Sequence, residues 1–162
     1  MASAQLGKLE VFRSTVDIML LDGVLTREEK RLIIKLASAL NLGPDEPAQI
    51  YECIQNNKPS PKGGPISIEE CRTIYTKVYE VAIVNASLSK DEFRVLAHLR
   101  SQFNIDDETH AIIEAELRET MREKYKDSAV IESLMGTLKD SVRLVGDLFD
   151  SFRKKNNAGG SR

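Results

Sequence analysis

The chain is expected to be all-α, with about seven helices arranged as two pseudo-repeated helical units plus a long C-terminal amphipathic helix. Three observations predict this. Residues 22–46 and 85–109 align without a gap at an offset of 63 positions, and six of the 25 aligned pairs are identical: Leu25/Leu88, Glu29/Glu92, Arg31/Arg94, Leu36/Leu99, Ser38/Ser101 and Asn41/Asn104. A repeated helical unit implies a pseudo-symmetric bundle. Composition points the same way, with 6% aromatics, no Trp, nine Gly, five Pro and 30% charged residues. The third observation is an apolar seam near the C-terminus, at residues 131, 135, 138, 142, 145, 149 and 152. Its intervals alternate between 4 and 3, a period of 3.5.

The elements follow in order. Leu6, Leu9, Phe12, Val16, Met19 and Leu20 form one stripe of a first helix ending near Asp22-Gly23. Thr26 and Glu29 fit a capping box that opens a second helix, whose core residues are Leu32, Ile33, Leu36 and Leu40. Asn41-Leu42-Gly43 stops that helix, and Gly43 is the residue expected to adopt the left-handed conformation. A third helix is predicted over 45–55, with Pro44 or Pro47 tolerated in its first turn.

Residues 56–65 hold three of the five prolines and two of the nine glycines, and read as a flexible connector between the repeats. Lys62 and the two glycines do not have the spacing of a phosphate loop. Ser67 and Glu70 form a second capping box, opening a helix that carries Cys71, Ile74, Tyr75, Val78, Val81 and Ala82. Ser89 and Glu92 form the third box, at the position equivalent to Thr26 and Glu29. The fifth helix presents Val95, Leu96, Leu99 and Phe103 to the core. It breaks at Asn104-Ile105-Asp106, and a sixth is predicted over 107–124. The domain reading is therefore a helical bundle over 1–126, a heptad helix over 127–155 and a disordered tail over 156–162.

Bulk properties narrow the function. A chain of 162 residues buries enough surface to fold without a disulfide or metal. Its net charge of −2 gives no general attraction for nucleic acid or anionic membranes. Arg27, Lys30, Arg31 and Lys35 alternate with Glu28 and Glu29, which reads as a solvated salt-bridged face. Cys53 and Cys71 read as core thiols in a reduced setting. The first helix interrupts its apolar residues with Lys8, Glu10, Arg13 and Asp17, unlike a signal peptide or a membrane span, so a cytoplasmic protein is expected. His98 and His110 are the only histidines, and they lack the spacing of a zinc site or of a nucleophile–base pair. His98 aligns with Lys35 and is expected at the surface. No catalytic constellation is visible, and the expectation is a non-enzymatic protein.

The segment Asp22-Gly23, Leu25, Thr26 and Glu29, at a helix junction and followed by a helix ending Leu40-Asn41-Leu42, resembles the TerB-like (tellurite-resistance) helical family. The resemblance covers roughly Leu6 to Lys124. It implies an all-α bundle of two pseudo-repeated halves, a stress-related or envelope-linked role without an established reaction, and a divalent metal held by an acidic cluster. Carried over by position, Asp22 and Glu29 match the motif, with Asp17 and Glu80 as neighbouring carboxylates. The second copy has Asn85-Ala86 in place of Asp-Gly, which removes one carboxylate from a symmetric site. Helix capping is the competing role for Glu29 and Glu92. The cofactor expectation is none, or a weakly bound divalent cation.

The C-terminal seam consists of Ile131, Met135, Leu138, Val142, Val145, Phe149 and Phe152. Burying such side chains contributes about 1.5–3 kcal/mol each, so something must cover them. The cover is the chain's own two repeats, a partner protein or second copy, or a membrane surface. Five basic and five acidic residues over 127–155 remove the electrostatic part of a membrane attraction. The expected partner is a protein or a homodimer mate engaged through this helix.

Overall fold

The computed structural model describes residues 6–23, 25–84 and 90–160; the side chains of Asp22, Lys90, Asp91 and residues 152–160 lie outside that description. Among the described residues seven α-helices are joined by turns: α1 (Lys8–Met19), α2 (Arg27–Ala39), α3 (Glu46–Gln55), α4 (Ile68–Val84), α5 (Lys90–Gln102), α6 (Asp107–Lys124) and α7 (Ser128–Gly160). A 3-10 turn, Leu20–Asp22, closes α1. The fold is all-helical, as the sequence predicts, and no described helix is long and apolar enough to cross a membrane.

The repeat is geometric as well as sequential. Adding 63 to the limits of α2 gives those of α5. Both helices end in the same way. Leu42 N–H donates to Ala37 O at 3.1 Å and Ile105 N–H to Arg100 O at 3.0 Å, around Asn41 (φ 60°) and Asn104 (φ 54°). This is the Schellman arrangement, in which the residue after the helix turns left-handed. The expectation for Gly43 is corrected here. Asn41 takes the left-handed turn, because its short polar side chain tolerates that conformation. Gly43 N–H instead donates to Glu46 Oε1 at 2.6 Å, at the entry to α3.

Burial keeps the same offset. Val11, Phe12, Thr15, Val16 and Met19 on α1 are buried, and so are Ile74, Tyr75, Val78, Tyr79 and Ala82 on α4. The buried residues of α2 (Glu29, Leu32, Ile33, Leu36) correspond to Glu92, Val95, Leu96 and Leu99. Ile50 on α3 corresponds to Ile113 on α6, and both are buried. The two halves interlock: α4 packs across α2, and α1 across α5.

The 56–65 connector is fastened to the bundle rather than loose. Lys62 O accepts from Leu9 N–H at 2.9 Å and Glu10 N–H at 3.1 Å, and Gly64 O accepts from Lys8 N–H at 2.9 Å. These are the first-turn donors of α1, which have no partner within their own helix. Ile66 N–H donates to Leu6 O at 3.0 Å, completing a short antiparallel bridge. Gly63 sits at φ 80°, and a Cβ there would lie 2.8 Å from Leu9 N. Only glycine fits, both for conformation and for space.

The last helix lies against α5, with further contacts to α6 and α4. Leu134, Leu138, Val145 and Phe149 are buried within the chain, and Met135, Val142 and Leu148 pack against the core at its edge. The helix also continues through Gly160, beyond the expected end at Lys155. Once a helix is nucleated, each further residue adds a backbone hydrogen bond, so the polar segment prolongs it.

Candidate functional site

Two of the three predicted capping boxes lie within the described residues. Thr26 Oγ1 accepts from Glu29 N–H at 3.1 Å, while Glu29 Oε1 accepts from Thr26 N–H at 3.0 Å. Ser67 and Glu70 make the same reciprocal pair at 3.1 Å each. The third box begins at Ser89, outside the described residues.

The proposed metal residues are placed apart in function. Glu29 is 2% exposed and occupied as a cap. Asp17 is exposed and pairs with Arg13 at 3.8 Å. Glu80 accepts from Lys124 Nζ at 2.5 Å, across from α4 to α6, and this bond raises the Lys124 pKa. The Asp22 side chain lies outside the described residues. Among the described residues no three His, Cys, Asp or Glu side chains gather as a metal site would require.

The seam of α7 is keyed to a polar cluster that periodicity did not reveal. Tyr79 Oη lies 2.8 Å from Ser141 Oγ, whose own hydroxyl donates to Leu138 O at 2.7 Å, so the tyrosine is the donor to Ser141. Tyr75 Oη lies 2.9 Å from His110 Nε2, and the three rings meet edge to face with centroids 5.5–5.7 Å apart. Burial, reinforced by the nearby Arg100 charge, lowers the His110 pKa to about 4. Burial also raises both tyrosines above their ordinary value, so Tyr75 keeps its proton and donates a hydrogen bond to Nε2 of a neutral imidazole. Arg100 is 2% exposed, donates to Ile105 O at 2.9 Å and Asp107 Oδ1 at 2.7 Å, and lies 4.0 Å from the centre of the Phe149 ring. A guanidinium on an aromatic face is attracted by the ring quadrupole. His98, expected at the surface, is half-buried with Ser14 Oγ 3.2 Å from its Nε2, and burial lowers its pKa. Cys71 is buried, as its apolar position suggests, and burial pushes its pKa up to about 11.

The first half presents a different feature. An apolar furrow of about 510 Å³ opens between α1, α2 and α3. Val16 of α1, Leu20 of the turn that follows it and Leu25 before α2 contribute to its lining. The α2 wall is Lys30, Ile33 and Ile34; the α3 wall is Tyr51, Ile54 and Gln55. Among the described lining residues Lys30 is the one that carries a charge. Ile34 is 69% exposed at its lip, as is Leu21 on the adjoining turn. Burial raises the Tyr51 pKa, and its ring lies 6.0 Å from that of the buried Phe12. Such a surface supplies apolar contact area and one cation, and it is the feature best suited to bind something.

Sequence reasoning missed the furrow because Ile34 falls outside the Leu32, Ile33, Leu36, Leu40 stripe that it assigned to the core. The missed signal is an extra large aliphatic residue on the solvent side of an otherwise regular amphipathic helix. Comparison of the chain with known proteins returned no matching family model, no matching curated protein and no matching solved structure.

Proposed function

We propose that this chain is a TerB-like helical module that works through protein–protein contacts in a stress-related or envelope-linked cytoplasmic assembly, with the α1–α3 furrow as its contact surface. The observation that carries this reading is the furrow itself: an apolar channel whose lip residue Ile34 is 69% exposed. A contiguous apolar opening rimmed by polar residues is a feature of interaction sites. The TerB-like part of the proposal rests on the capped junction at Thr26–Glu29 and the division of the bundle into two related halves.

The test is site-specific photocrosslinking in cells from position 34, with position 68 as control. Ile68 is 90% exposed and lies away from the furrow, so it reports casual encounters. A discrete adduct from position 34 that position 68 does not form is the expected result. Equal, diffuse labelling from both positions would remove the reading.

A further inference from the structure

Resting on the furrow as a contact surface, we propose that its occupant is an amphipathic α-helix of a partner protein, seated on α1–α3 in the way that α7 is seated on α4–α6. The argument is the repeat. Shifting by 63 residues carries each wall of the furrow onto a wall of the α7 seat.

On α5 the stripe Phe93, Ala97 and Arg100 is buried, and Arg100 touches Phe149 of α7. Its counterpart on α2 is Lys30, Ile34 and Ala37, where Lys30 is exposed and Ile34 is 69% exposed. Ala97 is fully buried while its mate Ile34 is open. On the second half α7 packs against α5, α6 and α4, whereas no described helix takes the corresponding place over α1–α3. Tyr79, which holds Ser141 of α7, corresponds to Val16, a furrow residue. Leu117 of α6, 1% exposed, corresponds to Ile54, another furrow residue. The second half is followed by a helix that fills its seat; the first half is followed by the 56–65 connector, which turns away to cap α1.

The chemistry of the occupant follows from the lining. It carries apolar residues at alternating intervals of three and four, as α7 does, with a carboxylate on the flank that meets Lys30. Lys30 stands where the second half has Phe93, and places a positive charge at this point of the furrow for such a carboxylate to meet. The chain's own α7 cannot supply the helix to a second copy while Leu138 and Val145 are wholly buried in its own seat. The occupant therefore comes from another protein.

The probe is a fluorescent synthetic peptide of residues 128–151, titrated into the intact chain and followed by anisotropy. Saturable binding of one peptide per chain is expected, weakened about tenfold or more by Ile34→Asp and by Ile34→Ser, whose melting temperatures match the parent. No saturable binding overturns the proposal, as does binding that both variants leave unchanged, since the peptide would then be exchanging into the α4–α6 seat. Self-association of the chain alone, abolished by Ile34→Asp, would give the furrow to a second copy and also overturn it. If the peptide fails while position 34 still crosslinks a partner, the contact surface stands and the helical occupant falls; if both fail, both fall.

Discussion

The two halves of this molecule have one backbone plan and opposite surfaces. In the second half, α4–α6 carry Tyr75, Tyr79, His110 and Arg100, and α7 lies over them. In the first half the same positions hold Phe12, Val16, Pro47 and Ala37, and Val16 lines the open furrow. The polar groups are concentrated where a resident helix must be held in one register. An apolar channel is left where no described helix is resident. Buried hydrogen bonds discriminate among registers more sharply than apolar contact does, because a slip leaves a donor or acceptor unpaired.

The largest test of this contrast is removal of the covering helix. Ending the chain after Asp127 uncovers the α4–α6 seat and deletes Leu134, Leu138, Val145 and Phe149 from the core. At about 1.5–3 kcal/mol for each side chain, the loss is comparable to the whole stability of a domain, about 5–15 kcal/mol. The shortened chain should therefore lose its cooperative unfolding transition in circular dichroism. Within the intact chain, Leu138→Ala should cost about 2–5 kcal/mol in urea denaturation, the range for an emptied core site.

Next in size is the pH response of His110. Its folded pKa, about 4, lies below the ordinary value of 6.5. The unfolded chain therefore binds a proton between those values that the folded chain does not, and stability falls as pH drops from 6.5 towards 4. The contribution is complete above pH 6.5, and the loss levels off near pH 4 after about 3 kcal/mol. Arg100 strengthens the effect and Asp107 opposes it. The His110→Gln variant keeps an acceptor for Tyr75 and should show a flatter stability–pH curve across that window. The first half has no such group, since Pro47 occupies the equivalent place.

Smaller still is Tyr79→Phe. It removes one hydrogen bond to Ser141, which keeps its bond to Leu138 O. A loss of about 0.5–1.5 kcal/mol is expected, with amide exchange in α7 accelerated more than in α2. Ile34→Ser should change stability by less than about 0.5 kcal/mol in the same measurement, because its side chain contributes little to the fold. Equal destabilisation by Leu138→Ala and Ile34→Ser would erase the distinction between a filled seat and an open one.

Much of the framework was legible in the sequence. Helix periodicity, the capping pairs at Thr26–Glu29 and Ser67–Glu70, and the 63-residue offset are local or evenly spaced patterns, and the structure follows them closely. The seam of α7 was legible as a surface needing cover, and the cover for its described core residues lies within the chain. Groups whose partners are remote in the chain were not legible. Tyr79 finds Ser141 across 62 positions and Tyr75 finds His110 across 35, and no local spacing encodes such meetings. The same holds for Arg100, which reads as one more surface charge until α7 is laid over it. The furrow was hidden for a related reason. It is defined by an absence at the repeat-mate of the α7 seat, and that absence appears only when the two halves are superposed.

The fastening of the 56–65 segment carries a consequence for how the chain comes into being. The carbonyl that satisfies Leu9 and Glu10 belongs to Lys62, 53 positions after Leu9. As the polypeptide leaves the ribosome, the Leu9 and Glu10 N–H groups have only water as partner until that stretch has emerged and folded back. The start of α1 must therefore wait for a later stretch, and the proline-bearing segment acts as a clasp that closes on it after α3 has already appeared.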